Sequence, residues 1–410
     1  MPSTTPSATI TPLQPLKPDL YERAWSSVPH PSLPLLATCH GKAVTVFSLT
    51  SLTPHSSLTR GHERSVRCAA WKPSEKGMCL VTGSFDSTAG LWRWEDEDEG
   101  DVEEVDVAGT GGDKDWQFTL VLEGHDSEIK SVAFSPGGEF LATSSRDKSV
   151  WIWEDVGADE DEWETVAVLN EHEGDVKAVA FCPDVSGRNA RAKFSADVLA
   201  SASYDDTVRI WREDGEGEWV CVAVLTGHGG TVWGVAWEGR EREDGAFPRL
   251  MTFSADATIR VWRLDVGEDE DENVSARGPL GGVPNTMRKS LREDWVCEAI
   301  LPNVHARDIY SVSWSSKTGL VASTGSDGVI ALYKEDESVP LNQDGPAQEG
   351  EESRRWKLLA KYNSSHGPYE VNHITWCPRY DAGSEKAGEM LVTTGDDGLV
   401  RTWAVSIEQQ

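Results

Sequence analysis

Residue types that cooperate in catalysis recur along this chain at a fixed spacing. In six segments an Asp stands six residues before an aromatic residue, a Ser or Thr stands four residues before that Asp, and a His lies upstream. The six sets are His62, Thr82, Asp86 and Trp92; His125, Thr143, Asp147 and Trp153; His172, Ser201, Asp205 and Trp211; His228, Thr252, Asp256 and Trp262; His305, Ser323, Asp327 and Tyr333; and His366, Thr393, Asp397 and Trp403. A His, a hydroxyl group and an Asp within hydrogen-bond reach could form the nucleophilic triad of a hydrolase.

Six copies at one spacing cannot all be catalytic centres, so we predict that these residues are structural and that the protein is not an enzyme. The Asp can orient the His, the His can bond the hydroxyl group, and that oxygen can accept the indole N–H of the Trp. Each such bond contributes about 1 kcal/mol, and an unpaired buried His or Asp would cost more. The chain contains no G-x-S-x-G, H-E-x-x-H or P-loop motif that would indicate hydrolysis or nucleotide binding.

Short strands must position these residues. Each copy contains runs with alternating polarity, such as 129–134, 141–144 and 150–153, and a further run precedes the next Gly-His pair. A seventh, degenerate copy has Gly41 in place of the Asp and Phe47 in place of the closing aromatic residue. Four strands in each of seven copies predict an all-β fold, a single seven-bladed WD-repeat β-propeller over residues 1–410. The repeats are predicted to end near Phe47, Trp92, Trp153, Trp211, Trp262, Tyr333 and Trp403.

The last repeat has no fourth strand after its closing aromatic residue, Trp403. A spare strand-like run lies at the N-terminus, within residues 8–16. We therefore predict that this N-terminal strand closes the last blade and removes two free sheet edges.

The acidity of the chain is concentrated in a few runs. The net charge is −31, and five runs without Lys or Arg (95–106, 154–164, 213–218, 265–272 and 335–352) hold 33 of the 69 acidic residues. Inserts at about 94–115, 154–162, 263–294 and 334–353 are expected to be disordered loops on the rim opposite the Asp turns. A strongly negative chain is a poor ligand for nucleic acid or for an anionic membrane, so neither is an expected partner.

The seven Cys residues have no C-x-x-C spacing and are odd in number. This usage is typical of a reducing compartment and predicts neither a disulfide framework, nor a metal site, nor a bound cofactor. No signal peptide or membrane-spanning run is visible, so a soluble, intracellular protein is expected.

One rim of the propeller is predicted to bind partners. In this topology the residue before each turn Asp and the residue five after each His lie on the same rim, near the mouth of the central channel. The residues before the turn Asp are Phe85, Arg146, Tyr204, Ala255, Ser326 and Asp396. The residues five after the His, which are expected at the channel mouth itself, are Arg67, Lys130, Lys177, Trp233, Tyr310 and Val371. Arg and aromatic residues are the usual anchors of protein interfaces, which favours a partner-binding surface. The alternative is that the lysines and arginines only cap strand ends against Glu128 and Asp175.

Several stretches are more specific than a general WD repeat. Residues 83–88, 145–154, 172–181 and 202–208 resemble the WD-repeat subunit of the cytosolic iron–sulfur protein assembly (CIA) targeting complex. The resemblance implies a non-enzymatic scaffold that docks apo iron–sulfur client proteins for insertion of [4Fe–4S] clusters. It also implies three other partners: a HEAT-repeat scaffold, a small bridging subunit and an iron-only-hydrogenase-like cluster carrier. The family's functional Arg corresponds to Arg146, and the implied compartments are the cytoplasm and the nucleus.

The resemblance also has limits and competitors. Some animal members carry Leu-Tyr-Arg where this chain has Ile210-Trp211-Arg212, so the resemblance does not support a co-chaperone contact there. A competing hypothesis is a histone- or peptide-reading adaptor of a chromatin complex, whose acidic loops would attract basic tails. An enzyme built on a propeller would need His or carboxylate residues converging at the channel mouth, and the predicted mouth positions hold neither.

Overall fold

The computed structural model describes residues 8–73, 77–94, 116–157, 162–185, 187–188, 196–214, 217–242, 245–265, 292–339, 355–380 and 388–407. These residues form seven four-stranded antiparallel sheets. The first strands of neighbouring sheets contact one another in a closed ring, so they line the centre of the molecule. The structure is therefore the predicted seven-bladed β-propeller, and the prediction of an all-β fold is confirmed.

Each blade follows the chain from the centre outwards, and the strand bounds are as follows. Blade 1 contains β2 (Ala24–Pro29), β3 (Leu35–His40), β4 (Ala43–Ser48) and β5 (Pro54–Leu58), and blade 2 contains β6 (Val66–Trp71), β7 (Cys79–Ser84), β8 (Ala89–Trp94) and β9 (Trp116–Leu122). Blade 3 contains β10 (Ile129–Phe134), β11 (Phe140–Ser145), β12 (Val150–Asp155) and β13 (Trp163–Leu169), and blade 4 contains β14 (Val176–Phe181), β15 (Val198–Ser203), β16 (Val208–Glu213) and β17 (Trp219–Leu225). Blade 5 contains β18 (Val232–Trp237), β19 (Leu250–Ser254), β20 (Ile259–Asp265) and β21 (Asp294–Ile300), and blade 6 contains β22 (Ile309–Trp314), β23 (Val321–Gly325), β24 (Ile330–Glu335) and β25 (Trp356–Tyr362).

Blade 7 is built from both ends of the chain, as predicted. It contains β26 (Val371–Pro378), β27 (Glu389–Gly395), β28 (Val400–Ile407) and the N-terminal strand β1 (Ala8–Pro12). The register of β1 against β28 runs from Ala8 opposite Ile407 to Pro12 opposite Trp403. Ile10 and Leu16 are buried against the blade, so the N-terminal segment contributes apolar packing as well as strand hydrogen bonds.

The predicted hydrogen-bond chain is present in blades 2 to 7. The His Nδ1 atoms lie 2.7–3.1 Å from the turn Asp, and the Nε2 atoms lie 2.7–2.8 Å from the buried Ser or Thr hydroxyl group. In five of these blades the closing Trp donates its indole N–H to the same hydroxyl oxygen, at 2.8–3.0 Å. Blade 6 has the buried Tyr333 in place of the Trp. The His therefore ties the loop before the first strand to the turn between the second and third strands.

Blade 1 departs from the repeat in one respect that the sequence alignment missed. Phe47 pairs with Leu36, as Trp92 pairs with Leu80 in blade 2, which places Thr38 at the position of Thr82. The turn of blade 1 is therefore one residue shorter than the others, and Gly41 is not the equivalent of the turn Asp. Thr38 is fully buried and bonds Ser27 at 2.8 Å, so a hydroxyl pair replaces the histidine chain.

The bounds predicted for the inserts were too wide at their edges. Trp94 lies in β8, 154–155 lie in β12, 263–265 lie in β20, 294 lies in β21 and 334–335 lie in β24. Residues 95–115, 158–161, 266–291 and 340–354 lie outside the described residues. The flanking strand ends are those of third and fourth strands, on the rim opposite the Asp turns.

A buried ion cluster joins blades 5 and 6 on that opposite side. The Arg249 guanidinium lies 2.7 Å from Glu238, 3.0 Å from Glu298 and 2.8 Å from Glu335. Burial alone would lower the pKa of Arg249, but the hydrogen bonds and charges of the carboxylates raise it well above its usual value. The Arg249 charge is therefore compensated, and the cluster fixes the positions of the two blades relative to each other.

We expect the N-terminal strand to be essential for stability. Deleting residues 1–16 removes the buried side chains Ile10 and Leu16 and leaves the edge of β28 unpaired, which should lower the free energy of unfolding by at least about 4 kcal/mol. Urea denaturation followed by tryptophan fluorescence measures this change. Deletion of residues 1–7, which stops before β1, is the matched control and should behave as the full chain. A full-length unfolding midpoint after the longer deletion would contradict the prediction.

The hydrogen bonds between the histidines and the turn aspartates should make the protein less stable in acid. Burial alone would raise the pKa values of the six turn aspartates, but hydrogen bonds from the paired His and from backbone N–H groups lower them below the usual value. The unfolded chain therefore takes up protons first as the pH falls through about 4, so the stabilisation is complete above about pH 5 and is lost between about pH 5 and 2.

Urea denaturation at a series of pH values should show this loss, and Asp147→Asn should make it smaller. The matched control is Asp126→Asn, because Asp126 is exposed and contributes only its backbone N–H to Asp147. If both variants kept the pH dependence of the natural chain, the aspartates would not be its source.

Candidate partner-binding surface

One backbone irregularity repeats in the first strand of every blade. The register against the second strand breaks around the second residue of β2, β6, β10, β14, β18, β22 and β26, so that this residue has no partner opposite it. The seven bulged residues are Trp25, Arg67, Lys130, Lys177, Trp233, Tyr310 and Asn372. A β-bulge redirects the side chain of the extra residue. Each blade therefore places one side chain at the channel mouth whose type varies among the blades.

A second position is fixed beside each bulge by the turn between the second and third strands. In blades 2 to 7 the residue before the turn Asp donates its backbone N–H to the carbonyl oxygen of the residue that precedes the first strand, at 2.8–3.1 Å. The donors are Phe85, Arg146, Tyr204, Ala255, Ser326 and Asp396. Both sets of predicted residues therefore lie on one rim, which we call the top rim.

Blades 2 to 4 carry the basic part of the top rim. We call Arg64, Arg67, Lys130, Arg146 and Lys177 the cationic arc. Arg67 lies over the ring of Trp25 at 5.0 Å, and Lys130 lies over Phe85 at 4.4 Å. Lys177 lies between two rings, 5.4 Å from Tyr204 and 5.5 Å from Trp233. The eight residues predicted from the sequence are thus brought to one rim, with cations and aromatic rings alternating along it.

The members of the cationic arc differ in how far they are open to a partner. Lys130 is 2.7 Å from Glu128 and Lys177 is 3.0 Å from Asp175, and both side chains are mostly buried. Arg146 has 59% of its side chain exposed, and its carboxylate contact with Glu128 is longer, at 3.7 Å. The capping hypothesis therefore describes the two lysines, whereas Arg146 presents its guanidinium group to solvent.

The charges of the arc act on one another. Burial lowers the pKa of Lys130, the hydrogen bond and charge of Glu128 raise it in part, and the charges of Lys177 and Arg67 lower it further. Burial also lowers the pKa of Arg67. Burial is therefore the main cause of the lowered pKa of Lys130, and the charges of two neighbouring cations add to it.

Blades 5 to 7 continue the rim with aromatic and acidic residues. Trp233 packs edge to face on Tyr310 and donates its indole N–H to Asp308 at 3.0 Å. The Tyr310 hydroxyl group donates to Glu370 at 3.2 Å, and burial is the main cause that raises the pKa of this Tyr to about 12. Asp396 lies 2.6 Å from Arg23, whose guanidinium lies over Trp25. These contacts continue the rim from blade 5 round to Trp25 of blade 1. The charged residues of this part are mostly acidic, whereas those of blades 2 to 4 are mostly basic.

Sequence reasoning missed part of this surface and misplaced one residue. Val371 was expected at the channel mouth, but it is fully buried, and the bulged residue of blade 7 is Asn372. The loop after His366 is one residue longer than in the other blades, so counting five residues stopped short. Trp25 was missed because blade 1 has no His from which to count.

The tripeptide at Ile210-Trp211-Arg212 is not part of the top rim or of any exposed surface. All three residues are buried in β16. The Arg212 guanidinium lies 2.7 Å from Glu293 and over the ring of Phe247 at 4.9 Å. Its charge is therefore compensated inside the protein, and a partner could reach it only after local unfolding.

The described part of the chain contains neither a metal-binding cluster nor a membrane-spanning helix. No group of three or more His, Cys, Asp or Glu side chains there has an arrangement that could hold a metal ion. Within the same residues no helix has the length and apolar character needed to cross a membrane.

Comparison with known proteins identifies first the class and then the family. Residues 52–93, 116–154, 163–212, 219–263 and 295–334 match the model "WD domain, G-beta repeat", so the chain is a WD-repeat β-propeller. Proteins named "Probable cytosolic iron-sulfur protein assembly protein 1" from Chaetomium globosum, Pyricularia oryzae and Neurospora crassa are 59%, 59% and 56% identical to it. The alignments cover 99%, 95% and 99% of this chain and 98%, 95% and 98% of the relatives. The chain belongs to the cytosolic iron-sulfur protein assembly protein 1 family.

The ion pair of Lys177 with Asp175 predicts only a small contribution to stability. We expect Lys177→Gln to change the free energy of unfolding by less than about 1 kcal/mol, because the Asp175 carboxylate is 29% exposed and water can replace the lysine there. Urea denaturation measures the change, with Asp175→Asn as the control that removes the other partner of the same pair. A loss above about 2 kcal/mol for Lys177→Gln would show that the lysine is chiefly a strand-end cap.

Proposed function

We propose that the chain is a non-enzymatic adaptor of cytosolic iron–sulfur protein assembly that docks apo iron–sulfur clients through its top rim. The printed names of the relatives support the assembly role and a cytosolic setting. The cationic arc is the observation that carries the docking proposal. On a chain with a net charge of −31, it gathers five basic side chains beside aromatic rings on three neighbouring blades. An activity in the nucleus stays a prediction.

The chemistry of the arc indicates what it would bind. A planar, exposed guanidinium group such as that of Arg146 binds carboxylates in a bidentate manner. The exposed ring of Tyr204 and the half-buried ring of Phe85 can cover an apolar or aromatic partner side chain. The resemblance to the family implies that some clients end in an acidic residue followed by a terminal aromatic residue, and we propose that the arc binds such a tail, with a cation on its C-terminal carboxylate.

Rigid display is the proposed mechanism. The two loops that form the top rim are fixed by the His–Asp contacts and by backbone hydrogen bonds, so a partner does not have to order them on binding. We propose that the HEAT-repeat scaffold, the small bridging subunit and the iron-only-hydrogenase-like carrier occupy other parts of the surface. The iron–sulfur cluster is then cargo that passes between partners, without a resident cofactor in this chain.

For the competing chromatin hypothesis, the described top rim offers only the acidic and aromatic residues of blades 5 to 7. A basic histone tail would meet like charges at the cationic arc. Two acidic runs, 95–106 and 154–164, were expected to attract such a tail; the first lies outside the described residues, as do 158–161 of the second.

The docking proposal is tested by reversing one charge. Arg146→Glu places a second carboxylate beside Glu128, so recovery of client proteins should fall at least tenfold, whereas recovery of the complex subunits that are proposed to bind elsewhere should be unchanged. Affinity purification with mass spectrometry from cells that express the full chain measures the recovery, and thermal unfolding should be unchanged because Arg146 is exposed.

Arg240→Glu is the matched control. Arg240 is also an exposed Arg with one long carboxylate contact, to Glu337 at 3.5 Å, but it follows β18 on the opposite rim. Natural recovery with Arg146→Glu, or equal loss with both variants, would contradict the assignment of the site.

A further inference from the structure

Glu128 is surrounded by three cations of the cationic arc. Its carboxylate lies 2.7 Å from Lys130, 3.4 Å from Arg64 and 3.7 Å from Arg146. Its backbone carbonyl accepts the N–H of Arg146 at 3.0 Å, so the turn that carries Arg146 is bound to Glu128 through the backbone as well. Glu128 is thus the shared contact of basic residues from two blades.

The position of this carboxylate differs from that of an ordinary strand-end cap. Asp175 occupies the equivalent place in blade 4 and lies 3.0 Å from Lys177, whereas Glu128 contacts both the mostly buried Lys130 and two guanidinium groups that are each 59% exposed. A partner carboxylate bound to those guanidinium groups would therefore lie within a few ångströms of the Glu128 carboxylate. Like charges at such separations repel by about 1 kcal/mol in water and by more at a partly buried site.

The cluster nevertheless keeps a surplus of positive charge. Three cations and one carboxylate leave a local charge of +2, with Arg67 and Lys177 close enough to act on Lys130. The surplus attracts an anionic segment, while Glu128 already occupies one of the positions where such a segment would bind. Glu128 keeps the cations together when no partner is bound, because without it they would repel one another.

We propose that Glu128 is an internal counter-ion of the docking site: it positions Arg64, Lys130 and Arg146 and competes with the partner's carboxylate for them. This inference rests on the proposed function of the top rim. It makes Glu128 a positioning residue that sets specificity, because a weakly acidic segment cannot displace it and a strongly acidic one can. Removal of its charge should therefore strengthen binding, although it removes native ion pairs.

The test uses the full chain and a labelled ten-residue peptide with an acidic residue before a C-terminal aromatic residue and a free carboxylate. Fluorescence polarisation over a series of salt concentrations gives the Kd and its salt dependence. We expect Glu128→Gln to bind roughly fivefold more tightly than the natural chain and to show a steeper salt dependence. Glu128→Ser removes the same charge with a different side chain and should shift the Kd in the same direction. The matched control Asp175→Asn should cause a smaller change.

The outcomes separate this inference from the proposed function. If the natural chain binds the peptide, Arg146→Glu abolishes binding, and the Glu128 variants bind no more tightly, then the counter-ion role is wrong and the docking site stands. If the natural chain does not bind, or if Arg146→Glu leaves binding intact, the proposed function is overturned and this inference with it. Thermal unfolding of each variant shows that a change in Kd does not arise from loss of the fold.

Discussion

The contact between a buried His and the turn Asp is the interaction on which the working surface depends. In six blades this contact joins the loop before the first strand to the turn between the second and third strands, and these two segments form the top rim. The apolar packing of the blades would hold the strands without it, but the loops at their ends would then be joined only by backbone hydrogen bonds. The His also bonds a fully buried hydroxyl group, so its orientation is set from inside the sheet. Both conditions together give a rim that is ordered before any partner arrives.

The β-bulge lets the surface residue of each blade vary while the neighbouring core residue stays apolar. The residue before the bulge is buried and apolar in every blade, for example Ile129 and Val176, because it packs in the core. The bulged residue itself has no strand partner, so its type is free. Lys130, Trp233 and Tyr310 are three different residue types at this position, and the backbone irregularity is the same in each. A repetitive fold therefore carries a non-repetitive surface, with cations on blades 2 to 4 and aromatic and acidic residues on blades 5 to 7.

The sequence predicted the features that depend on residues close together in the chain and that recur in each blade. The spacing from Asp147 to Trp153 is set by a turn and one strand, so the same count predicts the hydrogen-bond chain in each blade. Counting from a His found the bulged position wherever the intervening loop kept its length, and it failed at Val371, where the loop gained one residue. It could not begin in blade 1, whose shorter turn and missing His hid Trp25. Long-range ion clusters had no such signal, because Arg249 and Glu335 are far apart in the chain and meet only when blades 5 and 6 pack together.

The acidic runs of the chain and the basic residues of the cationic arc act on other molecules over different distances. At physiological salt, charges in solvent act over about 8 Å, so the repulsion of an acidic segment by distant acidic runs is largely screened. Contacts at van der Waals distance with the mostly buried lysines of the arc, which lie against aromatic rings, are screened less. A net negative surface then discourages non-specific encounters, while a segment that reaches the arc gains short-range ion pairs and ring contacts together. Under the proposed function, selection at this rim would therefore depend on the fit of a few side chains, and not on the overall charge of either protein.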